Sequence, residues 1–168
     1  ALAGDNTIEF GVTVSGSTTI LASKVLTVSV AARHDLTADM LSTQQTGRSG
    51  QVVQFPIDIT NTGNIRDTFK LQVCDPSDQT GCNPPMWAAS YSDTNGNSIS
   101  QLILDPSESK RVFLDVTVEG EEDADSVTIL SRVAIFGTSE KVEHTISVIV
   151  SNYDYGMAIS PEMPGPIA

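Results

Sequence analysis

Between Gln51 and Val73 the chain alternates apolar and polar residues twice over, and that alternation confines it to a sheet. Val53, Phe55, Ile57 and Ile59 recur at every second position, and Phe69, Leu71 and Val73 do so again. Successive side chains of a strand point to opposite faces, so each run has a dry face and a wet one. Asn61-Thr62-Gly63-Asn64, between the runs, is made of residues that tolerate positive φ and reads as the tight turn of a hairpin.

The same period recurs along the chain. Thr7 to Ser15 sets Ile8, Phe10, Val12 and Val14 on one face, and Lys24 to Ala32 aligns Leu26, Val28 and Val30. Arg33 to Gly50 is polar and irregular, with a short helical turn expected over Leu36 to Thr43. Pro84 to Tyr91 reads as extended and carries the sole tryptophan, Trp87, expected in the core. A turn at Asp93–Asn97 leads to a strand over Ile99–Leu104. Val112, Leu114, Val116 and Val118 then point inward, and Val127–Phe136 and Val142–Val150 close the pattern, with His144 expected to be packed. Strands of this length separated by turn signals predict an all-β protein: an Ig-like antiparallel β-sandwich of about seven to nine strands with an extra N-terminal strand. The chain divides into an N-terminal donor-type strand and linker (1–23), the sandwich (24–150) and a Pro-rich tail (151–168).

Charge narrows the partners. A net charge of -12 with no Lys/Arg cluster argues against nucleic acid and against docking on an anionic membrane. The longest apolar runs are strand-sized, so no membrane insertion is expected. Cys74 and Cys82, in CDPSDQTGC, are spaced for a short disulfide loop of the sort that persists in oxidising compartments. The opening Ala1-Leu2-Ala3 has the small residues that a signal peptidase leaves, so a secreted or cell-surface protein is expected.

No catalytic constellation is legible. The chain has no G-x-S-x-G, no Gly-rich phosphate loop and no His-rich metal motif, and the Glu121-Glu122-Asp123 run reads as a solvated loop. The protein is therefore expected not to be an enzyme and to need no cofactor. The one candidate ligand set is Asp93, Asn95 and Asn97, whose alternating oxygens suit the start of a calcium loop. The glycine and glutamate that would complete such a loop are replaced by Ser98 and Leu104, which favours a plain turn.

Gly50-Gln51-Val52-Val53 leading into Ile59-Thr60-Asn61-Thr62-Gly63-Asn64, then Asp67-Thr68-Phe69, Met86-Trp87 and Leu104-Asp105-Pro106-Ser107-Glu108, form a further pattern. From about Lys24 to Val150 it resembles the NPCBM-associated (alpha-galactosidase-associated) Ig-like domain family. Ser107 stands where that family usually has glycine, and the cysteine loop looks like an insertion. The resemblance implies a sandwich used as an accessory or cell-surface module, and carries no catalytic residues.

Thr7 to Ser15 is surplus to such a sandwich, lies beyond a Gly-Ser-Thr joint, and cannot stay bare without inviting aggregation. The sequence therefore reads as a structural subunit of a secreted extracellular filament (pilus or thread), a homopolymer built by donating this strand to a neighbour. Ile8, Phe10, Val12 and Val14 would be the donor-strand interface, and Tyr153, Tyr155, Met157 and Ile159 in the tail a secondary one. In that property it looks like donor-strand pilus and thread subunits. The alternative is a monomeric Ig-like spacer or binding module with a surface or carbohydrate target.

Overall fold

A computed structural model of the chain describes residues 1–78, 81–120 and 125–151. Its strands are β1 (Gly4–Thr13), β2 (Ile20–Val30), β3 (Leu36–Met40), β4 (Gln44–Gly47), β5 (Val52–Asn61) and β6 (Asp67–Cys74). They continue with β7 (Ala89–Ser92), β8 (Ser98–Ile99), β9 (Gln101–Leu104), β10 (Ser109–Thr117), β11 (Ser126–Ile135) and β12 (Lys141–Val150). Two five-stranded sheets, β3-β5-β10-β7-β8 and β4-β12-β11-β6-β9, form an Ig-like β-sandwich, and β1 and β2 form a two-stranded sheet of their own. All pairings are antiparallel except β12 with β4.

The inner faces are those the alternation marks. Phe55, Ile57 and Ile59 from β5, Val112, Leu114 and Val116 from β10, and Phe69, Ile129, Val133, Ile146 and Val148 from the facing sheet fill the interior. Trp87 is buried, as its size and isolation in the sequence suggested. One polar bridge crosses this core: the Tyr91 hydroxyl lies 2.7 Å from Ser131 Oγ, both buried. Desolvation of the phenol, partly offset by that bond, pushes Tyr91 up to about 12.

Four local expectations are corrected. The runs 51–61 and 67–74 do not pair with each other: β5 belongs to one sheet and β6 to the other, so Asn61–Asn64 bridges the layers as an arch. Gly63 is not needed for a positive φ, which it does not adopt. It is needed for close approach, because a Cβ there would lie 2.4 Å from the Arg33 carbonyl oxygen. Leu36–Met40 is strand, not helix, since Leu36 and Ala38 alternate into the core beside β5. Finally, Ile99–Leu104 breaks at Ser100 into β8 and β9, which join different sheets.

Where the NPCBM-type pattern has glycine, Ser107 adopts φ 67. The turn Asp105-Pro106-Ser107-Glu108 closes with Glu108 N–H donating to the Asp105 carbonyl at 3.0 Å. Proline second and a left-handed residue third is the pattern of a type II turn, which favours glycine where Ser107 stands.

Candidate assembly surface

The sandwich begins at Leu36. Residues Lys24 to Val30, expected to open it, instead pair with the N-terminal strand. β1 and β2 run antiparallel from Gly4↔Val30 to Thr13↔Ile20, with a register shift between Val12 and Thr13. The strand expected to be donated therefore has a partner within its own molecule. Both outer edges of this hairpin are free of other strands among the described residues.

The register decides what each face carries. Ile8 lies opposite Leu26, Phe10 opposite Lys24, Val12 opposite Ala22 and Asn6 opposite Val28. Directly paired residues share a face, so one side of the hairpin is a mainly apolar strip of Ile8, Phe10, Val12, Ala22, Leu26 and Val28, with Lys24 opposite Phe10 and Asn6 opposite Val28 on the same face. The other side carries Asp5, Thr7 and Glu9 opposite Ser29, Thr27 and Val25. Ser29 donates to the Asp5 carboxylate on this polar side. Among the described residues nothing covers this strip: Ile8 is 49%, Phe10 56% and Val12 61% exposed. Val14, the fourth expected knob, lies past the end of β1, where its carbonyl accepts a turn bond from Ser17 N–H.

The base of the hairpin is tied to the arch. Arg33 N–H donates to Asn64 Oδ1 at 2.7 Å, and Asn64 Nδ2 donates to the Ala31 carbonyl at 3.0 Å. Asn64 N–H returns to the Arg33 carbonyl, and Ala3 N–H donates to the Asn64 carbonyl. Arg33 Nη2 reaches the Thr62 carbonyl. Asn64 therefore holds both ends of the hairpin, and Gly63 allows the Arg33 backbone to come close enough. Sequence reading saw these residues only as a turn. The available signal was a second asparagine following the glycine, with more hydrogen-bonding capacity than a turn needs.

The other expected sites fall as follows. Cys74 and Cys82 form a disulfide with their Cα atoms 4.7 Å apart. Asp93 accepts on Oδ1 from the backbone N–H of Asn95 and of Asn97, and Asn97 Nδ2 reaches both of its oxygens. These bonds, the Asn97 side chain foremost, hold its carboxyl below the usual carboxylate range. The Asp93, Asn95 and Asn97 loop is thus organised by its own donors, and among the described residues no three His, Cys, Asp or Glu side chains gather as a metal site. His144 is half-buried, with Nε2 2.7 Å from the Ala38 carbonyl oxygen across one flank of the sandwich. Tyr153, Tyr155, Met157, Ile159 and the Glu121-Glu122-Asp123 run lie outside the described residues. No described helix is long and apolar enough to cross a membrane.

No protein-family model matches the chain, and no curated protein matches it. Among solved structures it is similar to the PapD-like domain 7 of human CEP192, at 9% identity over 70% of this chain and 87% of that one, with a TM-score of 0.44. It is similar to domains 4 and 5 of the S-layer protein SbsC, at 21% identity over 76% of this chain and 58% of that one, with a TM-score of 0.41. The E. coli chaperone DraB matches at 11% identity over 68% of this chain and 54% of that one, with a TM-score of 0.42. These are Ig-like or PapD-like sandwich domains. The resemblance to the NPCBM-associated family goes no further than that coarse fold.

Proposed function

We propose that this chain is a structural, non-catalytic subunit of a secreted extracellular filament, assembled by presenting its N-terminal β-structure to a neighbouring copy. One observation carries the reading: an amphipathic hairpin is pinned to the sandwich at its base, and no described residue covers its mainly apolar face. The unit presented is the hairpin and not a lone strand, because β1 is already paired to β2. The disulfide supports an oxidising, extracellular setting.

Magnitudes allow such a contact without guaranteeing a tight one. Ile8, Phe10, Val12, Leu26 and Val28 are each roughly half exposed. Completing their burial is worth about half of the 1.5–3 kcal/mol for a whole side chain, or about 4–8 kcal/mol together. Association costs about 4–15 kcal/mol in lost freedom, so the side chains alone come near to breaking even. Main-chain bonds along a free hairpin edge, about 0.5–1.5 kcal/mol each, decide the sign.

Electron microscopy and light scattering on the native protein test this. Wild type should form multi-subunit particles or fibres, and the Ile8→Glu/Phe10→Glu variant should remain a folded monomer. A wild type that stays monomeric at high concentration removes the filament and leaves the second reading, a monomeric cell-surface or carbohydrate-associated spacer. The observation favouring that alternative is the pairing of β1 within its own molecule.

A further inference from the structure

The hairpin face is too small to join two copies by itself. Strands of 10 and 11 residues, at about 3.4 Å per residue and about 4.8 Å apart, make a face of about 34 by 10 Å. Two such faces pressed together cover about 700 Å², against the roughly 1,200 Å² at which specific interfaces begin. A hairpin seated on a second copy therefore needs a strand edge to pair with and a recess for its side chains.

The sandwich offers both in one place. β5 flanks β10 along its whole length, whereas β7 covers only Phe113–Val116. No strand among the described residues lies beside Ser109–Val112 on that side. Asn61 N–H donates to the Glu108 carbonyl, and Thr117 N–H to the Ala88 carbonyl. In an antiparallel ladder bonding direction alternates residue by residue, so the odd-numbered residues of β10 face the β7 side. Ser109 and Arg111 thus turn their backbone N–H and C=O groups to an open edge.

Beside that edge lies a cleft of about 450 Å³, lined by Ile99, Leu102 and Val112 with Asp93, Thr94 and Lys110. It is three times the roughly 150 Å³ cavity that accepts a benzene ring. Its origin is the short course of the chain here. β7 stops at Ser92, β8 is only 2 residues long, and β9 crosses to the other sheet, so the seam between the layers stays open.

We propose that this cleft accepts the hairpin of a second copy. The free edge of β1 pairs with Ser109 and Arg111, and Ile8, Phe10 and Val12 enter between Ile99, Leu102 and Val112. The inference rests on the self-assembly reading above and names the acceptor within it. Charge does not drive the match in a chain that carries -12. The hairpin bears Lys24 against Asp5 and Glu9, and at the mouth Lys110, 3.6 Å from Glu108, and Arg111, paired with Asp58, stand beside Asp93, so each patch sums to -1 and the contact rests on its apolar and main-chain parts. The hairpin is pinned at the arch, where Ala1, Leu2 and Arg33 line one recess with Pro106 and Ser107, so its base lies at the same end of the sandwich as the open edge at Ser109. The contact joins two different patches and is therefore heterologous, giving a fibre where the rotation between copies does not close a ring.

Three full-length proteins test the assignment by light scattering: wild type, the donor variant Ile8→Glu/Phe10→Glu, and the acceptor variant Ile99→Arg/Leu102→Glu. Each variant alone should be monomeric. Their equimolar mixture should form a particle of twice the monomer mass and stop there, because one protein keeps the hairpin and the other keeps the cleft. Hydrogen exchange supplies a readout that leaves the cleft unaltered: the Ser109 and Arg111 amides should slow at least tenfold in wild-type assemblies relative to the donor variant. If the acceptor variant still polymerises, or those amides exchange equally fast in both states, the cleft is not the acceptor, while the filament stands. A monomeric wild type overturns both.

Discussion

Replacing Asn61 with alanine should unfold the arch that carries the hairpin. The Asn61 side chain is fully buried. Its Nδ2 donates to the Ile65 carbonyl at 2.8 Å and to the Leu104 carbonyl at 3.0 Å, and its Oδ1 accepts from Gly63 N–H at 2.9 Å. It thereby joins the arch to the end of β9, next to the turn that starts β10. Alanine leaves two carbonyls without these partners, at about 1–3 kcal/mol for each that water cannot reach, and leaves Gly63 N–H only its longer bond to the Asp35 carbonyl at 3.2 Å. The Ile65 bond is only partly buried, so water recovers some of that loss. The expected total is about 3 kcal/mol, which in a domain of this size lowers the melting temperature by about 6–12 °C. Urea unfolding followed by Trp87 fluorescence is the assay, since that tryptophan is the sole one and is buried. The midpoint should fall with the slope unchanged. A loss below about 1 kcal/mol would refute the claim that this side chain closes the arch.

Ser107→Gly should stabilise the protein by about 0.5–1 kcal/mol in the same assay. It relieves a left-handed residue at φ 67, at a strain of about 1–2 kcal/mol, less the entropy that glycine returns to the unfolded chain. Spectrophotometric titration should show one tyrosine that ionises only near pH 12, Tyr91 beside Ser131. A Ser131→Ala variant should move that step higher still, because the bond to Ser131 lowers it. Removing the Cys74–Cys82 bridge as a double alanine variant should lower stability by about 2–3 kcal/mol on the loop-entropy account, measured as a shift of the urea midpoint. In acid, Glu143, bonded by Lys141 and Arg132, and Asp58, bonded by Arg111, titrate below their ordinary values of 4.5 and 3.8. A depressed folded pKa gives stability that is present above the unfolded value and lost as pH falls through the folded one. The urea midpoint should therefore hold steady from neutral pH to about 4.5 and decline below it. The contribution of each exposed pair is within about 1 kcal/mol.

The sequence alone determined the class of fold and the inward faces, because a period of two states directly which side chains share a surface. Phe55, Ile57 and Ile59, with Val112, Leu114, Val116 and Val118, are buried as that period requires, and the sole tryptophan, Trp87, is buried as expected. The disulfide was likewise legible from two cysteines on a short loop. Which strand pairs with which was not written in the period. It depends on which backbone edges are brought together from distant parts of the chain. So the runs flanking Asn61–Asn64 looked like a hairpin and went to opposite layers, while Leu26 and Val28 looked like sandwich and joined Ile8, Phe10 and Val12 outside it. Gly63 is the same lesson on the scale of one atom. Its composition suggested a backbone angle, and the packed structure requires the space where a methyl group would have stood against the Arg33 carbonyl. The bare strip and the open edge at Ser109 and Arg111 arise from what fails to come together, and a pattern along one strand carries no record of its missing neighbour.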